Sequence, residues 1–374
     1  MINTGDHTDL AGLNDGPDRI LAVPTLCELL ADAGKRTIIV GSGSPGSTFL
    51  QAPTRPDKIV NVRGFAWPEE ESARIVDQYG DFPGESDPPD AWNDLACRIF
   101  GDAAQSGLYD VGVLWLCDPD FTQHKWGLGS DKSRSAIRKN DGRLARLYRS
   151  MPDGVDLILA SDHGFSTVGS TPEDLWLDLP TERAWFGSSG IYLADVDRDL
   201  EAAVAGLLSQ AWAGPVFTRD SGDGQFGIVE GTFSKTLLRI DHDDRSPDIV
   251  YSRRWTQDVN VNGVEGMVYG AGGIATHGSL SPHDRRGVLL AAGPSFRSGL
   301  RIESPTAAVD IAPSVLRTYG LDSGVDGRVL EEGLSGGGDA EAPAEESRRV
   351  ENIRGQSLTF TRVNETEYLD SVTC

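Results

Sequence analysis

Three stretches of this sequence set aspartate and histidine beside an apolar run. In "LILASDHGFS", residues 157–166, the run breaks into Ser161, Asp162, His163 and Gly164. In "YDVGVLWLCDPDFTQHKWG", residues 109–127, Val111 to Cys117 breaks into Asp118, Pro119 and Asp120, with His124 four residues beyond Asp120. In "GIATHGSLSPHDRRGVLLAAGPSF", residues 273–296, His277 and Gly278 precede the apolar run Val288 to Ala292. The chain has six histidines, and three of them, His124, His163 and His277, sit beside strand ends with Gly or Asp neighbours. A carboxylate and an imidazole four residues apart converge on one ion if the first turn curls back, and those donors suit zinc or manganese. Each stretch taken alone also has a plainer explanation. Asp-His-Gly after a strand serves as a polar turn, the Asp accepting backbone bonds and the Gly taking a positive φ. A lone His124 is more often a surface residue than a ligand.

The elements that would present these residues follow from the pattern. An uncharged run, apolar on both faces, belongs in the middle of a parallel sheet, and ligand sites of such sheets gather at the carboxyl ends of strands. Pro119 stops its strand, so the acids on either side of it lie at the strand end or in the loop. Apolar strands alternate with helical stretches at 90–107 and 133–150, which predicts βα units. Between 170 and 255 the pattern changes: "SGIYLADV", a helical "RDLEAAVAGLLSQAW" and "GPVFTRD" read as a small βαβ lobe. The segment 331–349 is rich in Gly, Ala and acid and reads as a flexible loop, and "SLTFTRVNETEYL" after it reads as a strand or two. No internal repeat is visible.

The ordered set "PDFTQH", "SDHG" and "THGSLSPHDRRGVLLAAGP" resembles the alkaline phosphatase superfamily, and within it the type I phosphodiesterase/nucleotide pyrophosphatase family. "RSPDIV" at 245–250, "AAVDIAPSVLRTYGL" at 307–321 and "TLCELLADAGKRTIIVGSGSPGS" at 25–47 fall in the matching order. The resemblance implies an α/β fold with a mainly parallel central sheet flanked by helices and a small inserted α+β lobe. It divides the chain into a core at 1–169, a cap lobe at 170–255, the second part of the core at 256–330, the acidic loop at 331–349 and a C-terminal strand segment at 350–374. It implies Asp120, His124 and His277 as ligands of one metal, and Asp162 and His163 as two ligands of another. Zinc is the implied metal at both sites, with manganese as the alternative. The implied activity is hydrolysis of a small-molecule phosphate ester, a phosphodiester or nucleotide pyrophosphate. Phosphomonoesterase, sulfatase or phosphomutase chemistry is the alternative within the superfamily.

The family completes its second metal site with an amino-terminal Asp and with a Thr or Ser that is also the nucleophile. The opening "MINTGDHTDLAGLNDGPDRIL" is polar and turn-rich and matches neither. The superfamily fold is therefore expected to start about one hundred residues late, by comparison with the family and with domain sizes. A truncated or mis-started gene, a separate N-terminal polypeptide, or a non-catalytic relative that keeps a metal site would each produce this. "GSGSPGSTF" at 41–49 offers Ser42, Ser44, Ser47 and Thr48, but the corresponding family segment is a structural turn. No catalytic nucleophile is assigned.

Composition bounds the partners. The 374 residues carry 34 basic and 57 acidic side chains, a net charge of −23, and six of the basic residues are lysine. Such a field repels a nucleic-acid duplex and an anionic membrane. The cysteines, Cys27, Cys97, Cys117 and Cys374, form no CxxC pair and read as buried thiols. With no membrane-length apolar run and no signal peptide before the polar start, the expected location is the cytoplasm. Abundant acid with scarce lysine also fits a salty medium, where counter-ions screen self-repulsion. A melting temperature that rises between low and molar potassium chloride is the expected result, and a flat profile would refute that adaptation.

Overall fold

Thr37–Gly41, "TIIVG", is uncharged and mostly β-branched, and it forms strand β1 with all five residues buried. Strands β2 (Lys58–Asn61) and β4 (Val111–Trp115) run parallel on either side of it, and β3 (Phe65–Trp67) pairs antiparallel outside β2. Ile39 stands opposite Ile59 on one side and Val113 on the other. Alternation sends Ile38 and Val40 to one face, where Trp92, Leu95, Ala96 and Ile99 of helix Pro89–Gln105 pack. Ile39 and Ile59 reach the other face, against Cys27 and Ala52.

The computed structural model describes residues 3–14, 19–54, 57–169, 183–187, 190–321, 324–336 and 343–373. The chain forms two units, one of Met1–Gln123, Asp131–Leu157 and Val315–Gly324, the other of His124–Ser130, Ile158–Ser314 and Val325–Cys374. The β1 sheet belongs to the first, with helices Pro89–Gln105 and Asp131–Ser150 in place of the stretches read at 90–107 and 133–150.

The remaining strands, in chain order, begin with β5 (Leu157–Ala160), β6 (Ser166–Val168), β7 (Ala184–Phe186), β8 (Gly190–Leu193) and β9 (Ala213–Thr218). They continue with β10 (Phe233–Ser234), β11 (Ile249–Arg253), β12 (Trp255–Val259), β13 (Glu265–Val268), β14 (Ala275–Thr276) and β15 (Leu289–Ala292). Three more, β16 (Glu345–Glu351), β17 (Ser357–Val363) and β18 (Thr366–Thr373), end the chain. A five-stranded sheet runs β10-β9-β11-β8-β7. Strand β11 is antiparallel to both β8 and β9, so those two are parallel to each other and are joined through helix Val196–Leu208. The helix starts under an Asp195 cap and buries Leu200, Ala203, Val204 and Leu207, an i, i+3, i+4, i+7 stripe, against Ile191, Val216 and Ile249. This is the βαβ pattern read in the sequence, with one strand inserted between its two arms. Residues 170–182, where that lobe was read to begin, lie outside the described residues.

Two readings need correction. The flexible loop assigned to 331–349 runs too far, because Glu345–Glu351 is strand β16, paired along its length with β17. Its exposed side chains are charged apart from Ser347, so its composition resembles a loop, while Val350 enters a core with Leu358, Phe360, Phe217 and Phe233. Residues 337–342 lie outside the described residues. Strand β5 was expected in the middle of a sheet; among the described residues it pairs with β15 alone. An apolar run records that both faces avoid water, not that a neighbour covers them, and Val288 and Leu290 beside it are 52% and 60% exposed.

Among the described residues no helix is long and apolar enough to cross a membrane. Cys27, Cys97 and Cys117 are free and buried, and burial pushes each thiol up to about 11. At pH 8 these three should resist dithionitrobenzoate in the native protein and react once it is denatured. Fast native labelling mapped to any of them by mass spectrometry would contradict this packing.

Candidate metal centre

Where β5 ends, the chain does not simply turn into solvent. Ser161 continues the ladder, its N–H donating to Val288 O at 2.9 Å while its hydroxyl accepts from Val288 N at 2.9 Å. Gly164 N donates to Asp284 O at 2.6 Å and Phe165 N to His283 O at 2.7 Å. A Cβ on Gly164 would lie 2.0 Å from His283 O and 2.6 Å from Arg286 O. The glycine is therefore required by the close approach of the Pro282–Arg285 helix, and not by the positive φ that a polar turn would need.

This approach sets the neighbouring pair. His163 N donates to Asp162 Oδ1 at 3.1 Å, and His163 Nδ1 lies 2.8 Å from Gly164 O. A carbonyl only accepts, so Nδ1 carries the proton and the lone pair of the neutral ring is on Nε2, 3.4 Å from Asp162 Oδ2.

Asp120 and His124 ride one turn apart on helix Asp120–Trp126, on the same face. The side chain of Asp118 opens that helix, its Oδ1 accepting from Thr122 N at 2.9 Å. His124 Nδ1 lies 2.9 Å from Ala275 O, so by the same reasoning its Nε2 is the acceptor nitrogen. His277 follows β14 directly. Its ring stacks on His163 with centroids 3.6 Å apart and planes 14° apart, and lies 5.1 Å from the His124 ring. Phe165 stands edge-on to both His124 and His277, at 4.8 and 5.3 Å.

Asp120, His124 and His277 offer ligand atoms that all lie within 4.8 Å of one another, and all three residues are half-buried. One carboxylate and two imidazoles, one of them with its far nitrogen tied to a carbonyl, form a donor set that fits a divalent cation. Asp162 and His163 stand outside that group as a second pair, joined to it by the His163–His277 stack.

Some contributors carry no sequence signal. Phe165 reads as an ordinary core aromatic. In the first unit, the carbonyl of Asp118 accepts from Asn140, in a short contact, and from Asn93 at 3.4 Å. Arg143 donates to Asn140 Oδ1 at 2.8 Å and to Asp94 at 2.7 Å, and pairs closely with Asp90. Burial works against the Asp90 charge, yet hydrogen bonds from Lys139 and Arg143 hold its carboxyl below the usual value. Single polar residues on a helix look like solvated positions until the turn they support is seen. Ser42 belongs to this network too: it is fully buried, donates to Asn93 Oδ1 at 2.6 Å and accepts from Cys117 N at 2.9 Å. That bond explains why regular pairing of β4 stops at Trp115, short of the Cys117 expected from the apolar run. Ser44 caps the helix Pro45–Phe49. The "GSGSPGSTF" loop thus has a structural occupation.

Comparison with known proteins adds the following. Residues 14–257 match the family model described as type I phosphodiesterase / nucleotide pyrophosphatase. The matched span includes Asp120, His124, Asp162 and His163 and ends before His277. Human ectonucleotide pyrophosphatase/phosphodiesterase family member 7 is 25% identical over 228 residues, 57% of this chain and 46% of that protein. The rat protein of the same name is 23% identical over 227 residues, so the chain spans about half the length of these relatives. In structure, murine ectonucleotide pyrophosphatase/phosphodiesterase 5 superposes with a TM-score of 0.54 at 16% identity, over 82% of this chain and 73% of that one. The human counterpart gives 0.52 at 14% identity over the same shares. At these identities the likeness is one of fold.

Gly164→Ala should destabilise the protein by about 3 kcal/mol, the upper end of ordinary overpacking, because its Cβ would meet backbone and not a yielding side chain. An unchanged urea midpoint would show that the approach can relax.

Proposed function

The chain belongs to the type I phosphodiesterase/nucleotide pyrophosphatase family, and from that membership we propose that it is a divalent-metal-dependent hydrolase of phosphodiester or nucleotide pyrophosphate bonds. Asp120, His124 and His277 hold one ion in this reading, and Asp162 with His163 contribute to a second. The observation that carries it is the convergence of a carboxylate and two imidazoles within 4.8 Å.

A bound divalent cation, zinc foremost and manganese by the same donors, supplies Lewis-acid polarisation of a phosphoryl oxygen. The residues supply orientation. His124 keeps Nδ1–H on Ala275 O, which points Nε2 at the site without cost in tautomer exchange. Asp120, one helical turn away, brings the negative charge that two neutral imidazoles lack. For the second ion, His163 Nε2 and Asp162 Oδ2, 3.4 Å apart, would supply an imidazole and a carboxylate donor. Phe165 sets an apolar ring edge-on against His124 and His277.

A second reading is a chain that binds metal and turns over substrate only beside another polypeptide. The exposed apolar side chains Val288 and Leu290 support it, since a two-stranded apolar ladder is marginal alone.

Hydrolysis of bis-p-nitrophenyl phosphate with added Zn²⁺ or Mn²⁺, beside His277→Ala, tests both. Turnover that drops to background in the variant is the expected result. Zinc binding without turnover in the folded chain would favour the second reading. Turnover untouched by His277→Ala would remove His277 from the site.

A further inference from the structure

Beyond the ligands stands a carboxylate that no part of the proposed chemistry uses. Asp284 is 3% exposed. Its Oδ1 accepts from the Ser166 hydroxyl, and its Oδ2 accepts from Ser279 N at 2.9 Å and Ser279 Oγ at 2.6 Å. Its own carbonyl accepts from Gly164 N. Ser166 lies three residues after His163, and Ser279 two residues after His277. One side chain thus grips both histidine-bearing loops from behind.

We propose that Asp284 is a positioning residue that fixes His163 and His277 in their stacked arrangement and so sets the metal affinity of the site. The inference rests on the metal-site reading above. Three facts give it weight. The loop after β14 must be held by something other than strand pairing, because β14 is two residues long and Gly278 follows His277 in a left-handed conformation, φ +94°. The three donors to the carboxylate come from both loops and leave each oxygen engaged. Further bonds brace the same loop: Ser279 Oγ accepts from Ser281 N at 3.1 Å, and Leu280 N donates to Ser252 Oγ at 2.8 Å. The bracing therefore gathers at Ser279 and Leu280, and Asp284 links Ser279 to the His163 side.

An ordinary structural carboxylate would support stability and nothing else, so the experiment separates the two. Asp284→Asn, Ser279→Ala and Asp310→Asn are compared with the unaltered chain. Asp310 is a fully buried carboxylate of the same unit whose bonds go to Ala307 N, Arg328 N and the Tyr368 hydroxyl, none of them beside a histidine of the site. Zn²⁺ affinity is measured by competition titration on folded protein. The His163–His277 ring contact is measured by nuclear Overhauser effects in metal-free, histidine-labelled samples.

Asp284→Asn should weaken Zn²⁺ binding roughly ten- to a hundredfold, the range seen for partners behind metal ligands, and should weaken the ring contact. Ser279→Ala, the milder change, should weaken both several-fold. Asp310→Asn should lower the melting temperature and leave both readouts unchanged. If Asp284→Asn and Ser279→Ala keep the unaltered affinity and ring contact, Asp284 is not a positioning residue. If Asp284→Asn fails to fold, Ser279→Ala decides by the same two readouts. If the unaltered chain binds no Zn²⁺, the metal-site reading fails, and the ring contact still decides whether Asp284 positions the histidines.

Discussion

The arrangement of the histidines depends on one steric permission. Gly164 has no side chain, and so the end of β5 can lie against the carbonyls of His283 and Arg286 at a distance that any Cβ would close. Hydrogen bonds alone could not enforce this, since they work only once the backbones have come together. With the approach granted, Gly164 N and Phe165 N find carbonyl partners on the Pro282–Arg285 helix, and Ser166 meets the Asp284 carboxylate. Phe165 is thereby placed edge-on to two imidazoles. The sequence distance from Gly164 to His283 is large, yet the contact is as local in space as a hairpin.

Much of this was legible beforehand because strand ends leave a chemical trace. The breaks at Asp162-His163, at Asp120 with His124, and at His277 stand out against apolar runs, and the helix Val196–Leu208 announces itself by its buried stripe. What the sequence could not report was cover and support. Strand β5 has the composition of a central strand and pairs with β15 alone among the described residues. Strand β16 has the composition of a loop, because one edge of it meets solvent and salt-bridging partners: Arg348 lies over the Phe360 ring while pairing with Glu367. Asn93 and Asn140 donate to the Asp118 carbonyl, and Arg143 donates to Asn140, from helices whose pattern makes them look solvated. Long-range partners of single polar residues are invisible to periodicity, which registers only apolar repetition.

Charge works in one direction throughout. A chain with a net charge of −23 repels polyanions and attracts divalent cations to any concave cluster of donors. The same field opposes an anionic phosphate ester, so a site built for such substrates must be locally neutralised. Histidines beside aspartates do this in part, since neutral imidazoles dilute the carboxylate charge while still offering lone pairs. A bound cation would do the rest, and the acidic surface and a cationic centre are then complementary features.

The imidazoles also explain why such a centre would not have to be assembled at the moment of binding. His124 is fixed through Nδ1 on Ala275 O and His163 through Nδ1 on Gly164 O, both backbone groups that cannot rotate away. His277 is also ordered by packing: stacked on His163, edge to Phe165, and followed by a loop gripped at Ser279. Ordering a side chain on binding costs roughly 0.5–1.5 kcal/mol, so the two rings of the first ion, already held, would spare roughly 1–3 kcal/mol of its binding energy. The His277 ring is held in part through its loop, by way of Ser279 and Asp284, so a change distant from the ligands would still be felt at the ring.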